Sequence, residues 1–176
     1  IAEGTIISTS IGANLLITAT QQADPKTIIK IDNIQITSSN HLKIGRRIYA
    51  DSLTPLVFEA KASNAGNHIT ETKGTVTVSK KDVVLSVQGL LPQNIISKNI
   101  RQLLDVNGNK SFVYKPSLTS FGWHKINIII KSENTNSSNS IEVFIFPAKL
   151  IIGLIIAIVL AKNIFKFSSK SVDTNI

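Results

Sequence analysis

The chain has 176 residues, a net charge of +8, and neither cysteine nor methionine. Its length suits one domain with a short appendage, and the lack of cysteine excludes thiol catalysis, a disulfide scaffold and Cys-ligated metal. Before Lys149, fifteen Lys/Arg stand against ten Asp/Glu; they are dispersed and accompany no binding motif, which argues against nucleic acid as a partner.

The chain opens at Ile1 without an initiator, as a fragment or processed product would. Residues 1–25 contain one good strand, Gly12-Ala-Asn-Leu-Leu-Ile-Thr-Ala-Thr20, and then the linker Gln21-Gln-Ala-Asp-Pro25. They read as the end of a truncated upstream β domain, or alternatively as a first strand of the domain that follows. An export signal is expected further upstream.

Period-two patterning dominates residues 26–146. In Thr27-Ile-Ile-Lys-Ile-Asp-Asn-Ile-Gln-Ile-Thr37 the isoleucines alternate, with one change of phase at Asp32-Asn33 that predicts a bulge. Leu56, Phe58, Ala60 and Ala62 alternate against Val57, Glu59 and Lys61. Further strands are predicted at Thr75–Val78, Val83–Val87, Lys125–Lys131 and Ile141–Phe146. Asn94 to Leu104 fits either a strand or an irregular crossing. Turn residues punctuate these runs at Ser63-Asn-Ala-Gly-Asn67, Asn107-Gly108-Asn109 and the polar stretch 133–140. About seven short strands at this spacing predict an antiparallel immunoglobulin-like β-sandwich.

Little in that span suggests chemistry. His41, His68 and His124 have no metal-ligand spacing and read as surface or half-buried strand residues. The acidic residues are scattered singly, and no nucleophile elbow or glycine-rich phosphate loop occurs. No enzyme, cofactor or metal is expected. Two residues stand out as surface contacts. Trp123, in Phe121-Gly122-Trp123-His124, reads as rim packing at one end of the sandwich, or alternatively as a platform for a sugar or a membrane. Arg101 reads as forming a local structural bond, with Asp105 a candidate partner, or alternatively as binding a partner's carboxylate.

The last segment is the most apolar. Leu150, Ile151, Ile152, Leu154, Ile155, Ile156, Ile158, Val159 and Leu160 lie in an unbroken run of twelve apolar residues between Lys149 and Lys162. Twelve are too few for a ~30 Å hydrocarbon core, which needs about 20. Counted with flanks to Phe167 the segment reaches roughly 28 Å at ~1.5 Å per residue, with lysine stems lying along the apolar zone. Residues 147–167 are therefore expected to form one transmembrane helix in the lipid bilayer. Lys162, Lys166 and Lys170 set the topology: a cytoplasmic tail at 168–176 and the bulk of the chain outside a cell membrane crossed once. Ile145-Phe-Pro-Ala-Lys149 stands where a sortase substrate would carry Leu-Pro-x-Thr-Gly, so the anchor is expected to be retained.

Ser63-Asn-Ala-Gly-Asn-His-Ile69 with Gly74-Thr-Val-Thr-Val78, then Leu91-Pro-Gln-Asn-Ile-Ile-Ser-Lys-Asn-Ile-Arg101 and Phe121-Gly-Trp123, resemble motifs of bacterial membrane-anchored proteins with immunoglobulin-like ectodomains. Those proteins are in turn similar to the WxL-protein-interacting, peptidoglycan-binding family. The resemblance implies a sandwich outside and one helix at the C-terminus, and transfers no binding residue. The expected function is a non-catalytic, membrane-anchored surface stalk or binding module for peptidoglycan, an anionic wall polymer or another surface protein. The alternatives are a subunit of an envelope assembly that accepts a partner strand, or the anchor of an enzyme whose catalytic part lies upstream.

Overall fold

The computed structural model describes residues 26–133 and 135–172, with side chains through Asn163. The expectations for residues 1–25 and 173–176 fall outside the described residues. Eleven strands form among them: β1 (Ile29–Ile36), β2 (His41–Ile44), β3 (Arg47–Asp51), β4 (Leu56–Asn64), β5 (Thr70–Lys80), β6 (Val83–Gly89), β7 (Gln93–Ile95), β8 (Asn99–Gln102), β9 (Ser111–Tyr114), β10 (Gly122–Lys131) and β11 (Asn136–Phe146). A helix, α1 (Ala148–Val172), follows.

Two sheets face each other. The smaller runs β1-β4-β8, with β9 also on β4; the larger runs β2-β3-β11-β10-β5-β6, with β7 also on β5. Every named pair is antiparallel except β3 on β11. An early strand joining the last strand in parallel, with the first strand in the opposite sheet, is an immunoglobulin-like arrangement. The sandwich assignment therefore rests on strand order as well as on periodicity.

Alternation explains the core. Leu56, Phe58, Ala60 and Ala62 of β4 are all at most 1% exposed, and they face Ile126, Ile128, Ile130, Val143 and Ile145 of the larger sheet, also at most 1%. Phe58 stacks on Phe112 with ring centroids 5.6 Å apart. The phase change in β1 is a bulge: Ile31 pairs with Ala62 and Asn33 with Lys61, leaving Asp32 unpaired. It keeps Ile29, Ile31, Ile34 and Ile36 on the buried side; Asp32 turns outward and accepts a hydrogen bond from Ser63 Oγ at 2.7 Å.

The stretch 133–140, expected as a loop, is largely strand, because β11 begins at Asn136. Its polar side chains stitch the two sheets together. Ser137 Oγ accepts from the Ile31 amide (3.3 Å), and Asn139 Nδ2 donates to the Ile31 carbonyl (3.2 Å). Both bonds tie β11 of the larger sheet to the β1 backbone of the smaller one.

The membrane-spanning expectation for α1 does not hold. Among the described residues, no helix is long and apolar enough to cross a membrane. The unbroken apolar run ends at Ala161 and reaches only about 18 Å at ~1.5 Å per residue, well short of the hydrocarbon thickness. Leu150, Ile151, Ile152, Leu154, Ile155, Ile156, Ile158, Val159 and Leu160 are exposed helix residues, each between 45% and 64% accessible. The topology read from Lys162, Lys166 and Lys170, with a single pass and an inside C-terminus, falls with the span. The helix also continues to Val172, past the expected end at residue 167. What fixes its start is local: Pro147 supplies the carbonyl that the Ile151 amide reaches at 3.1 Å, and Lys149 Nζ sits 3.6 Å from the buried carboxylate of Asp51.

Candidate aromatic face and adjoining groove

The outer face of the larger sheet carries a row of large side chains set by register. Trp123 of β10 pairs with Phe144 of β11, Phe144 with Tyr49 of β3, and Tyr49 with Leu42 of β2. Cross-strand partners share a face, so the four form one line across the sheet. The rings interlock rather than lie flat: Trp123–Phe144 centroids are 5.1 Å apart at 70°, and Tyr49–Phe144 5.9 Å at 60°. Phe121 adds an edge contact to Phe144 at 5.4 Å, and Phe146 approaches the same ring at 6.2 Å. Phe144 is thereby half-covered, while Trp123 remains 42% and Phe121 58% exposed.

A groove of about 540 Å³ runs beside this row, lined by Arg46, Arg47, Ile48, Trp123, Ser140, Ile141 and Glu142. The β2–β3 hairpin delivers the arginines. Ile44 pairs with Arg47 across the two-residue turn Gly45-Arg46, and Gly45 has φ +60°, as the first position of a type II′ turn requires. Arg46 therefore sits at the hairpin tip and Arg47 opens β3. Neither strand carries a strong sequence signal, so sequence reasoning missed both arginines; the Gly45 turn between His41–Ile44 and Arg47–Tyr49 was the available clue.

Behind Trp123, on the core side, lies His124, which is fully buried and not the surface or half-buried residue expected. Its Nδ1 lies 2.9 Å from the Gly122 carbonyl and its ring 6.2 Å from that of Tyr114. Burial pushes the His124 pKa down and nearby Lys80 adds to that, against the opposing pull of the Gly122 carbonyl. The imidazole is thus held neutral as packing. Gly122 takes φ +111° at the start of β10, and period-two alternation along the strand then sets Trp123 outside and His124 inside.

Trp123 thus belongs to the face, whereas Arg101 does not. Arg101 lies on β8 in the other sheet and donates from Nη1 to the Asn94 carbonyl at 2.7 Å rather than to Asp105. Among the described residues no group of three or more His, Cys, Asp or Glu is placed to hold a metal ion.

Fold and face together define a β-sandwich module with an exposed aromatic surface. Compared with known protein families and with characterised proteins, the chain matches none. Among solved structures it is similar to the CARDB domain of a Pyrococcus furiosus protein in complex with di-metal ions, at 14% identity and TM-score 0.42, over 69% of this chain and 88% of that one. It is also similar to parts of two β-glucosidases. One is from Erythrobacter marinus (9% identity, TM-score 0.40, over 66% of this chain and 15% of that one). The other, from Listeria innocua, was solved with glucose (9%, 0.39, 68% and 16%).

Proposed function

We propose that this chain is a non-catalytic binding module that recognises an anionic polysaccharide, of the kind found in wall polymers, on the outer face of its larger sheet. The observation that carries the reading is the joining of the exposed Trp123 indole to a groove lined by two arginines. An aromatic face supplies apolar area to a sugar ring at low entropic cost. Arg46 and Arg47 supply forked, permanently charged donors for carboxylate or phosphate substituents. Glu142 is the one carboxylate among the described residues that line the groove, whereas glycoside hydrolysis ordinarily needs a pair; this supports binding without cleavage. Rigid strands hold the aromatic row, which favours a preformed contact surface.

The test is retention of the full chain on insoluble wall polysaccharide, compared with a neutral glucan. Trp123→Ala and the double change Arg46→Ala/Arg47→Ala are each expected to lower retention at least tenfold, and added salt to weaken it. Equal retention on the neutral glucan, or full retention by both variants, would refute the reading.

A further inference from the structure

Strand β6 reverses the usual pattern of a sandwich edge. It is the last strand of the larger sheet, yet Val83, Val84, Leu85 and Val87 are 44–62% exposed. Its pairing shows why. Ser86 stands opposite Val78, and Gln88 opposite Val76, both of which are buried core residues. Val87 stands opposite Thr77 and Val84 opposite Ser79. Ser86 and Gln88 therefore share the core side while Val84 and Val87 look away; Val83, opposite Lys80, falls on the side of Ser86 at the open end of the strand. Gln88 locks this register by donating from Nε2 to the Val113 carbonyl on the opposite sheet at 2.6 Å. No charge or proline blunts the strand between Val83 and Gly89, although edge strands commonly carry one. Val106 (60% exposed) and Val113 (43%) extend the apolar strip into a groove of about 400 Å³.

Opposite charges bracket the strip. At its start the hairpin turn carries Lys80, Lys81 and Asp82, which together leave that end net positive. At its far end Asp105 lines the groove beside Gly89. The Asp105 carboxylate accepts from Asn109 Nδ2 (3.0 Å) and from the amides of Asn109 (2.7 Å) and Asn107 (2.9 Å), and these bonds, Asn109's first, hold its pKa below the usual carboxylate value. The tip of the turn is also strained: Lys81 and Asp82 have φ +45° and +66°, a conformation in which a lysine is rarely found.

We infer that this strip is a self-association surface, on which a second copy of the chain packs antiparallel about a two-fold axis near Leu85. An isologous contact needs a surface complementary to itself, and an apolar strip with lysines at one end and Asp105 at the other is that. The antiparallel arrangement sets Lys81 of each copy toward Asp105 of the other; a parallel one would set lysine against lysine. Within one copy Asp105 bridges to Leu90, roughly 30 Å along the strip from Lys81 at ~3.3 Å per residue. Leu85 is the extra residue of a bulge, since Ser79 pairs with Val84 and Val78 with Ser86. A bulge hinders addition of a regular strand, so side chains rather than a shared backbone ladder make the contact, and the pair closes instead of growing.

The absence of cysteine makes the test direct. In the full chain, Leu85→Cys is expected to give a disulfide-linked dimer under mild oxidation. Ile44→Cys, at 59% exposure on the opposite edge, is expected to stay monomeric. Adding Lys81→Glu to Leu85→Cys should cut the dimer yield several-fold. Equal yields from Leu85→Cys and Ile44→Cys, no dimer from Leu85→Cys, or indifference to Lys81→Glu would each overturn the inference.

Discussion

The two tight hairpins solve one geometric problem in opposite ways, and that difference can be measured. The β2–β3 turn places glycine at its positive-φ position; the β5–β6 turn places Lys81 and Asp82 at two consecutive positive φ values. For an L-residue this conformation costs roughly 1–2 kcal/mol, less for Asp, whose short side chain tolerates it. Replacing the pair by Asn-Gly, the preferred type I′ sequence, removes most of that cost, while the added glycine returns about 0.5–1 kcal/mol through the unfolded chain. The expected net gain for Lys81→Asn/Asp82→Gly is about 1–2 kcal/mol, or roughly 3–8 °C in Tm for a domain of this size. Gly45→Ala is the matched control. Nothing lies within 4 Å of its added Cβ, so its expected loss of about 1 kcal/mol is purely backbone strain. Urea and thermal unfolding of both variants decide the matter. A turn variant no more stable than the parent, beside a destabilised Gly45→Ala, would show that Lys81 and Asp82 offset their strain within a single copy, against the reasoning here.

Three further changes probe the interior. Asn64 is fully buried; it donates to the His68 carbonyl (2.7 Å) and the Ile95 carbonyl (3.0 Å) and accepts from the Gly66 amide (2.9 Å), so Asn64→Ala should cost about 2–4 kcal/mol by urea unfolding. Because the folded His124 pKa lies below its ordinary 6.5, the unfolded chain takes up the proton first. This contribution to stability is complete above pH 6.5 and is lost as pH falls from there through the folded pKa; His124→Gln should flatten the decline between pH 7.5 and 5. Asp51 is 6% exposed and neither carboxylate oxygen has a hydrogen-bond partner. Lys149→Ala should therefore destabilise by about 1–2 kcal/mol, the pair being partly open to water, and Asp51→Asn in the same chain should recover part of that loss.

Strands facing the core on one side announce themselves through period two, and so β1, β4, β5, β10 and the Asp32 bulge were legible. The strands missed, β2, β3 and β9, are four or five residues long, and the short β7 and β8 fall where the pattern fitted either a strand or an irregular crossing; so few residues hold no more than one or two alternations. The polar half of β11 looked like a loop because its side chains bond to a backbone more than a hundred residues earlier, which no local pattern encodes. The Asn-Ala-Gly and Gly-Thr-Val stretches proved structural. Asn64 ties the loop, and a Cβ on Gly66 or Gly74 would come within 2.1 Å of a backbone carbonyl oxygen. The aromatic row was not legible, since Tyr49 and Phe144 meet Trp123 only through register. The apolar run at 150–161 misled through its hydrophobicity, which outweighed its shortness.

The two surfaces proposed here are neighbours. Trp123 and the Lys81-Asp82 turn line one smaller groove of about 190 Å³, so the turn that would engage a second copy also flanks the aromatic face. A single open groove with one well-exposed indole offers a repeating polymer a modest contact. Two copies joined through β6 would present two such faces in fixed relation, and the second engagement would then be intramolecular, raising apparent affinity without any new contact. The gain is confined to ligands long enough to span both faces, so a polymer would be distinguished from its own fragments by length, with Lys81 linking self-association to that discrimination.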